Sequence, residues 1–103
     1  NGLNVYDCQN SNGGLFIYGK YVRINGGSIQ TLKTGTGLAR GIVLGNNSSE
    51  YPQHIIVRDI VIRECETAIL ATAGITDCKI NNAYLIDNTT DVNDTSGGQL
   101  IIT

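Results

Sequence analysis

Methionine and tryptophan are absent from this chain of 103 residues, and proline, histidine and phenylalanine each occur once. No apolar run approaches the ~18 residues that a membrane-spanning helix needs, and no stretch carries an apolar stripe at helical spacing. A net charge of −2 and a pI near 5.1 leave no polybasic tract of the kind that nucleic-acid-binding domains use. These absences argue against a helical protein, a membrane span and a nucleic-acid partner.

Metal and cofactor motifs are also missing. The three cysteines show no C-x-x-C spacing, and the single histidine, His54, has no second ligand at a fixed distance. Neither the nonapeptide of calcium-binding β-rolls nor the G-x-x-x-x-G-K-[ST] phosphate loop occurs. The sequence therefore predicts no metal and no cofactor. Cys78 falls at an apolar position and is expected in the core, and unpaired thiols favour assembly in a reducing compartment such as the bacterial cytoplasm.

An internal repeat is the main positive feature. Residues 21–29, 54–62 and 77–85 align without a gap. Each segment has apolar residues two apart, then a polar pair rich in Asn, Gly and Asp, then a second short alternating stretch. Self-similarity at about 20 to 30 residues, carried by strands, is typical of a solenoid whose units cannot bury their apolar faces alone.

One apolar position marks the phase of this repeat. Ile24 in the first segment recurs as Val57 and Ile80 in the next two, and a further copy places Ile102 at the same position. A weaker copy near the start of the chain places Val5 there as well. The pattern therefore predicts a ladder of these five residues in stacked strands.

Each repeat contains a third short strand after a loop of variable length. These strands are expected at residues 14–17, 41–44, 68–71 and 91–94. Three short strands in every coil, with side chains alternating inward and outward, predict an all-β, three-sided parallel β-helix of about four coils.

The polar pair explains how the chain bends between the first two strands. A sharp bend needs about one residue at positive φ, and Gly, Asn and Asp tolerate that conformation best. Gly26, Asp59 and Asn82 occupy the same place in three coils, with Tyr6 and Asp7 in the first. A flat antiparallel sandwich would not place these residue types at one phase.

The inward positions predict a stacked core. Its expected members are Val22, Ile24, Ile29, Ile42, Leu44, Ile55, Val57, Ile60, Ile62, Ile69, Cys78, Ile80 and Leu85. The loops at residues 31–40 and 45–53 vary most between coils, and we expect them to protrude and to offer ligand contacts. Because nothing at either end covers the core, we interpret residues 1–103 as a β-helix segment of a longer protein, incomplete at both ends.

The coil rhythm of residues 55–62 followed by 68–71 resembles the right-handed parallel β-helices of the pectate-lyase-like superfamily, and within it bacteriophage tailspikes and tail appendages. The resemblance implies a homotrimer, or contacts with other virion proteins, in a phage tail assembled in bacterial cytoplasm. It implies a surface that binds, or binds and degrades, bacterial surface polysaccharide. A secreted bacterial polysaccharide lyase or glycoside hydrolase and a bacterial surface adhesin are the alternatives. No catalytic motif decides whether the chain is an enzyme.

Acidic residues near the variable loop are the candidates for catalysis. Glu64 and Asp87 occupy equivalent positions one coil apart, at about 5 Å between backbones. Glycosidases use two carboxylates about 5 Å apart for retention, or about 6.5 to 9.5 Å apart for inversion. The candidate catalytic residues are Glu64, Glu66, Asp87 and Asp91. The alternative is a solvated acidic edge beside Arg63 and Lys79.

An apolar row is the candidate interface. Phe16, Val43 and Leu70 fall at the outward position of the third strand in successive coils. A contiguous outward apolar row suggests a covered surface, and we expect either another subunit of a trimer or an upstream segment of the chain to lie across it. Sugar stacking on Phe16 and the nearby Tyr18 is the alternative.

Overall fold

The structure is a computed structural model that describes residues 14–31, 39–45 and 51–103, and the backbone of residues 3–6. Within these residues all regular structure is β-strand. In chain order the strands are β1 (Leu3–Tyr6), β2 (Leu15–Ile17), β3 (Arg23–Asn25), β4 (Gly27–Gln30), β5 (Arg40–Leu44), β6 (Ile56–Arg58), β7 (Val61–Arg63), β8 (Thr67–Ala71), β9 (Cys78–Asn81), β10 (Tyr84–Ile86), β11 (Thr90–Asp94) and β12 (Leu100–Ile102).

The strands form three four-stranded parallel sheets. The first sheet has the order β1-β4-β7-β10, the second β2-β5-β8-β11 and the third β3-β6-β9-β12. Successive strands of the chain enter the three sheets in turn, so the chain winds as a parallel β-solenoid of about three turns. This confirms the predicted all-β parallel fold with three sides. The right-handed sense of the winding and the count of four coils stay predictions.

The strand register confirms most of the predicted ladder. Ile24 pairs with Val57, Val57 with Ile80 and Ile80 with Ile102 in the third sheet. Val5 was placed wrongly, because it pairs with Ile29 in the first sheet. A short alternating strand fits the inward phase of either sheet, so hydrophobicity alone did not determine where β1 belongs.

The predicted bend residues have the expected backbone conformation. Gly26, Asp59 and Asn82 lie between the third and the first sheet, with φ of 78°, 56° and 56°. The side-chain amide of Asn82 also donates a hydrogen bond to Asp59 Oδ1 over 2.7 Å. The predicted equivalent at Tyr6 is wrong, because Tyr6 pairs with Gln30 within the first sheet. Asp7 lies outside the described residues.

The core runs along the axis of the solenoid, between the three sheets. Ten of the thirteen predicted members are buried, while Val22, Ile24 and Leu85 are partly buried and pack against them. The structure adds Cys65, which is fully buried although it lies outside the predicted core. Its thiol donates a hydrogen bond to the carbonyl oxygen of Arg63.

The two predicted protruding loops lie mostly outside the described residues, since positions 32–38 and 46–50 are among those not described. Cys8 lies outside them as well. In the part of the chain that the structure describes, no helix is long and apolar enough to cross a membrane.

Candidate functional site

One column of side chains stands out on the third side of the solenoid. Tyr21, His54 and Asp77 precede β3, β6 and β9 at equivalent positions in three successive turns. All three have positive φ, at 60°, 58° and 49°. The same conformation occurs at the bends at Asp59 and Asn82, but left-handed backbone at a residue such as Tyr costs roughly 1–2 kcal/mol.

Direct contacts join this column across turns. The rings of Tyr21 and His54 are stacked, with centroids 5.0 Å apart and planes 10° from parallel. His54 Nδ1 forms a hydrogen bond of 2.9 Å with Asp77 Oδ2. The backbone N–H of Asp77 donates to Gln99 Oε1 of the next turn over 3.2 Å. We refer to Tyr21, His54, Asp77 and Gln99 as the Tyr21 column.

The Tyr21 column therefore fixes the orientation of an exposed aromatic ring. Asp77 holds the imidazole of His54 through Nδ1, and the imidazole supports one face of Tyr21. The other ring nitrogen of His54, Nε2, remains available to a ligand. A carboxylate that orients a histidine in this way is a familiar arrangement in binding and proton-transfer sites.

A cleft of about 130 Å³ opens beside the column. Its lining residues are Tyr21, Arg23, His54, Ile56, Asp77 and Lys79. Successive side chains along a strand point to opposite faces. Because Val57 and Ile80 face the core, the residues before them, Ile56 and Lys79, face outward. Register places Arg23 opposite Ile56, and Ile56 opposite Lys79.

Positive charge is concentrated on this side of the solenoid. Arg23, Arg58 and Lys79 are exposed on adjacent strands of the third sheet. Among the described residues, none of the three forms an ion pair. The acidic groups nearby have other partners, since Asp77 is bonded to His54 and Asp59 to Asn82. The outer face thus carries cations in a chain whose net charge is −2.

The predicted catalytic carboxylates lie at a different corner. Glu64 and Asp87 follow β7 and β10 at equivalent positions with φ of 58° and 55°, at the bend between the first and second sheets. Glu64 is half-buried, with Oε1 3.7 Å from the Nε of Arg63, whereas Asp87 is exposed. The equivalence that the sequence predicted is therefore present.

The other two candidates lie beside that corner. Glu66 is only 9% exposed, and its backbone N–H donates to the carbonyl of Ala39. Asp91 is exposed, and its Oδ1 accepts a hydrogen bond from Asn88 over 3.4 Å. None of the four carboxyl residues lines the cleft at the Tyr21 column. Their catalytic role stays a prediction.

Asn88 has a structural role that the sequence did not reveal. Its Oδ1 accepts from the backbone N–H of Cys65 over 2.9 Å, and its Nδ2 donates to the carbonyl of Ile62 over 3.1 Å. These bonds satisfy two backbone groups of the preceding turn at the corner, where a bend interrupts the regular ladder.

The predicted apolar row is aligned but is not a fully exposed ridge. Phe16 pairs with Val43, and Val43 with Leu70, in the second sheet. Val43 is 0% exposed within the single chain, while Phe16 and Leu70 are half-buried. Phe16 also lies near Tyr18, with ring centroids 6.3 Å apart. The row as a subunit interface stays a prediction.

No three His, Cys, Asp or Glu side chains come together as a possible metal site in the described residues. Comparison of the chain with protein-family models, curated proteins and solved structures gives no match. The chemistry of the site itself must therefore carry any functional argument.

Sequence reasoning missed the Tyr21 column although its signal was present. Tyr21, His54 and Asp77 are the first residues of the three aligned segments, so the repeat already placed them one above another. What the alignment did not indicate is their left-handed backbone, since Tyr rarely adopts it. His54 was interpreted as an isolated loop residue because its partner lies in another turn.

Proposed function

We propose that this chain is a glycan-binding β-solenoid, with the cleft at the Tyr21 column as its sugar subsite. The observation that carries the proposal is the exposure of Tyr21, at 74%, combined with its stacking on His54. A large aromatic side chain in solvent is usually free to change rotamer. Here the Tyr21 ring is held parallel to the His54 ring, so a ligand that packs on the tyrosine does not have to restrict the rotation of its side chain.

The groups around the ring suit a polyhydroxylated ligand. His54 Nε2, Arg23 and Lys79 supply hydrogen-bonding atoms for hydroxyl groups, and Ile56 supplies an apolar surface between them. Such a mixture of an aromatic ring, one apolar residue and a few polar atoms is typical of small-molecule sites. Strands about 4.8 Å apart repeat the outward positions along the solenoid, which allows an extended polymer to lie across several turns.

The biological setting we propose is a phage tailspike-like protein that binds bacterial surface polysaccharide. The parallel β-solenoid supports it, as does the resemblance of the coil rhythm to tailspikes. In this setting the chain assembles as a homotrimer in the virion tail, and the row of Phe16, Val43 and Leu70 contributes to subunit contacts. A bacterial surface adhesin would use the same cleft without the virion.

The second candidate function is an enzyme that cleaves the glycan, either a lyase or a hydrolase. The hydrogen bond of 2.9 Å between His54 Nδ1 and Asp77 Oδ2 favours it, because a carboxylate that orients imidazole prepares Nε2 for general acid–base work. Shortening of a bound polysaccharide, followed by size-exclusion chromatography, distinguishes this function from binding alone. Loss of cleavage in His54→Gln would assign the reaction to the cleft.

The binding proposal is tested with two tyrosine variants and a panel of purified bacterial surface polysaccharides. We expect the protein to bind at least one of them, and Tyr21→Ala to weaken that binding by about threefold to tenfold, the range that aromatic stacking supplies. Isothermal titration calorimetry gives the affinities.

Tyr84→Ala is the matched control. Tyr84 is also highly exposed, at 67%, but it lies in β10 of the first sheet, away from the cleft. Its removal should leave the affinity unchanged. Equal effects of Tyr21→Ala and Tyr84→Ala, or binding to none of the polysaccharides, would contradict the proposal.

A further inference from the structure

We infer that the cleft selects glycans that carry an anionic group, and that Arg23 and Lys79 hold this group. The inference rests on the proposed function and specifies the ligand class of the same site. It concerns the shared chemistry of a carboxylate or a phosphate attached to a sugar ring.

The first argument is the placement of the two cations. Arg23 in β3 and Lys79 in β9 are separated by one strand, so their backbones lie about 10 Å apart. Both side chains line the same cleft. The residue between them is Ile56, which brings no countercharge. An anion above Ile56 therefore has a cation on each side.

The second argument is the absence of internal partners for these cations. In the described part of the chain, Arg23 and Lys79 make no ion pair. Asp77, the one carboxylate among the described lining residues, forms a hydrogen bond with His54. Arg58, on the next outward row, adds positive charge to the same face. With Arg23 and Lys79 positive, Asp77 negative and His54 counted as neutral, the lining residues carry a net charge of +1, which favours an anionic ligand over a neutral one.

The third argument distinguishes a glycan from a single-stranded nucleic acid. Nucleic-acid grooves use a basic track together with several aromatic residues on which successive bases stack. Among the described residues that line the cleft, Tyr21 is the one exposed tyrosine, phenylalanine or tryptophan, and one face of its ring is already occupied by His54. One sugar ring bearing one anionic group matches this arrangement better.

The test is a ¹H–¹⁵N NMR titration of the protein with matched sugars. Glucose, galactose and mannose are each compared with the corresponding uronate, and glucose 6-phosphate distinguishes a phosphate from a carboxylate. We expect shifts at the backbone amides beside the cleft, at positions 21–23, 54–56 and 77–79. At least one anionic sugar should bind about threefold to tenfold more tightly than its neutral counterpart, since each exposed ion pair is weak.

Charge variants assign the selectivity to named residues. Arg23→Gln and Lys79→Gln should each weaken binding of the anionic sugar by a larger factor than binding of its neutral counterpart, so that the preference for the anion decreases. Arg63→Gln is the control, because it removes the same charge from β7 of the first sheet. The preference for the anionic sugar should also decrease at about 0.5 M NaCl, because the salt then screens charges that are more than several ångströms apart.

Each alternative outcome has a definite meaning. Equal binding of neutral and anionic sugars would overturn the inference while the proposed function stands. If acetate or inorganic phosphate bound as tightly as the anionic sugar, the cleft would be an anion site that does not recognise the sugar ring. If an oligothymidylate bound more tightly than the anionic sugar, the cleft would be a nucleic-acid surface. Either result overturns the inference. Absence of binding by any of the sugars would overturn both the inference and the proposed sugar subsite.

Discussion

Left-handed backbone at bulky residues is the main local peculiarity of this protein. Tyr21 and His54 have φ of 60° and 58°. Left-handed backbone of this kind destabilises the fold by roughly 1–2 kcal/mol per residue. Stacking of the two rings and the bond from His54 to Asp77 offset part of this cost. The same contacts fix the ring that we assign to ligand binding, so local strain and the candidate site coincide.

Cys78 is a second residue whose behaviour follows from burial. Its side chain is fully buried, and burial raises the pKa of the thiol, although backbone hydrogen bonding at Ile55 and Thr76 opposes the rise. The negative charge of Asp77 adds to the increase. The thiolate is therefore less favourable in the folded protein than in the unfolded chain.

This raised pKa predicts loss of stability in alkali. An unfolded cysteine ionises near pH 8.5, so the contribution of Cys78 is fully present below that pH. It is lost as pH rises from there through the higher folded pKa, by at most about 1.4 kcal/mol per pH unit. Urea unfolding between pH 7 and pH 10 measures the slope.

Cys78→Ala is the comparison for this measurement. The variant should be less stable at pH 7 because it leaves a cavity, but its free energy of unfolding should fall less steeply with pH. All other ionisable groups are the same in the two proteins, so the difference between the slopes isolates the Cys78 thiol. Identical slopes would show that Cys78 does not contribute.

At the scale of elements, the strands are short and depend on their neighbours in adjacent turns. Each has 3 to 5 residues, too few for a strand to be stable by itself. Stacked apolar residues such as Ile42 and Ile69 hold them from inside. The side chains of Asn88 and Asn82 hold the corners, since each donates a hydrogen bond to the preceding turn, to the carbonyl of Ile62 and to Asp59 respectively.

Gly41 shows how closely the turns approach one another. A Cβ at this position would lie against the carbonyl oxygen of Ala68 and 2.6 Å from Cγ2 of Ile62. Backbone oxygen and a core side chain cannot move aside easily in a packed interior. We therefore expect Gly41→Ala to destabilise the protein by about 1–3 kcal/mol, measured by urea denaturation.

Thr90→Ala provides the control for Gly41→Ala. Thr90 is exposed in β11 of the same sheet, and surface substitutions usually change stability by less than about 0.5 kcal/mol. If Gly41→Ala cost no more than Thr90→Ala, the close approach between β5 and β8 would be refuted.

At the scale of the whole molecule, the second side of the solenoid bears on assembly. Val43 is already buried within one chain, so replacing it with Lys would destabilise the chain itself. Leu70 is half-buried in the neighbouring strand and is the better probe of the proposed trimer interface.

We expect Leu70→Lys to shift the protein from trimer toward monomer, because a charge in an apolar contact is costly to bury. Multi-angle light scattering measures the mass, and unchanged circular dichroism would show that the fold is kept. Ile101→Lys adds the same charge on the third sheet, where Ile101 is exposed, and should leave the mass unchanged. A wild-type monomer, or a trimer that Leu70→Lys leaves intact, would contradict the interface.

The sequence by itself determined the repeat and most of its consequences. Apolar alternation at Ile24, Val57 and Ile80 fixed which side chains face inward, because the period of a strand is two residues. Asp59 and Asn82 marked the bends, because few residue types tolerate positive φ. These are local properties, so they could be read along the chain without knowledge of the neighbouring turns.

Only the tertiary structure decided what comes together between turns. In the structure Val5 lies in the first sheet, Cys65 is buried at a corner, and His54 forms a hydrogen bond with Asp77 of the next turn. The fold also gathers Arg23 and Lys79 onto one face. The repeat already placed these residues at equivalent positions of successive turns, but whether their side chains meet also depends on backbone and rotamer conformations that the spacing in the chain does not determine.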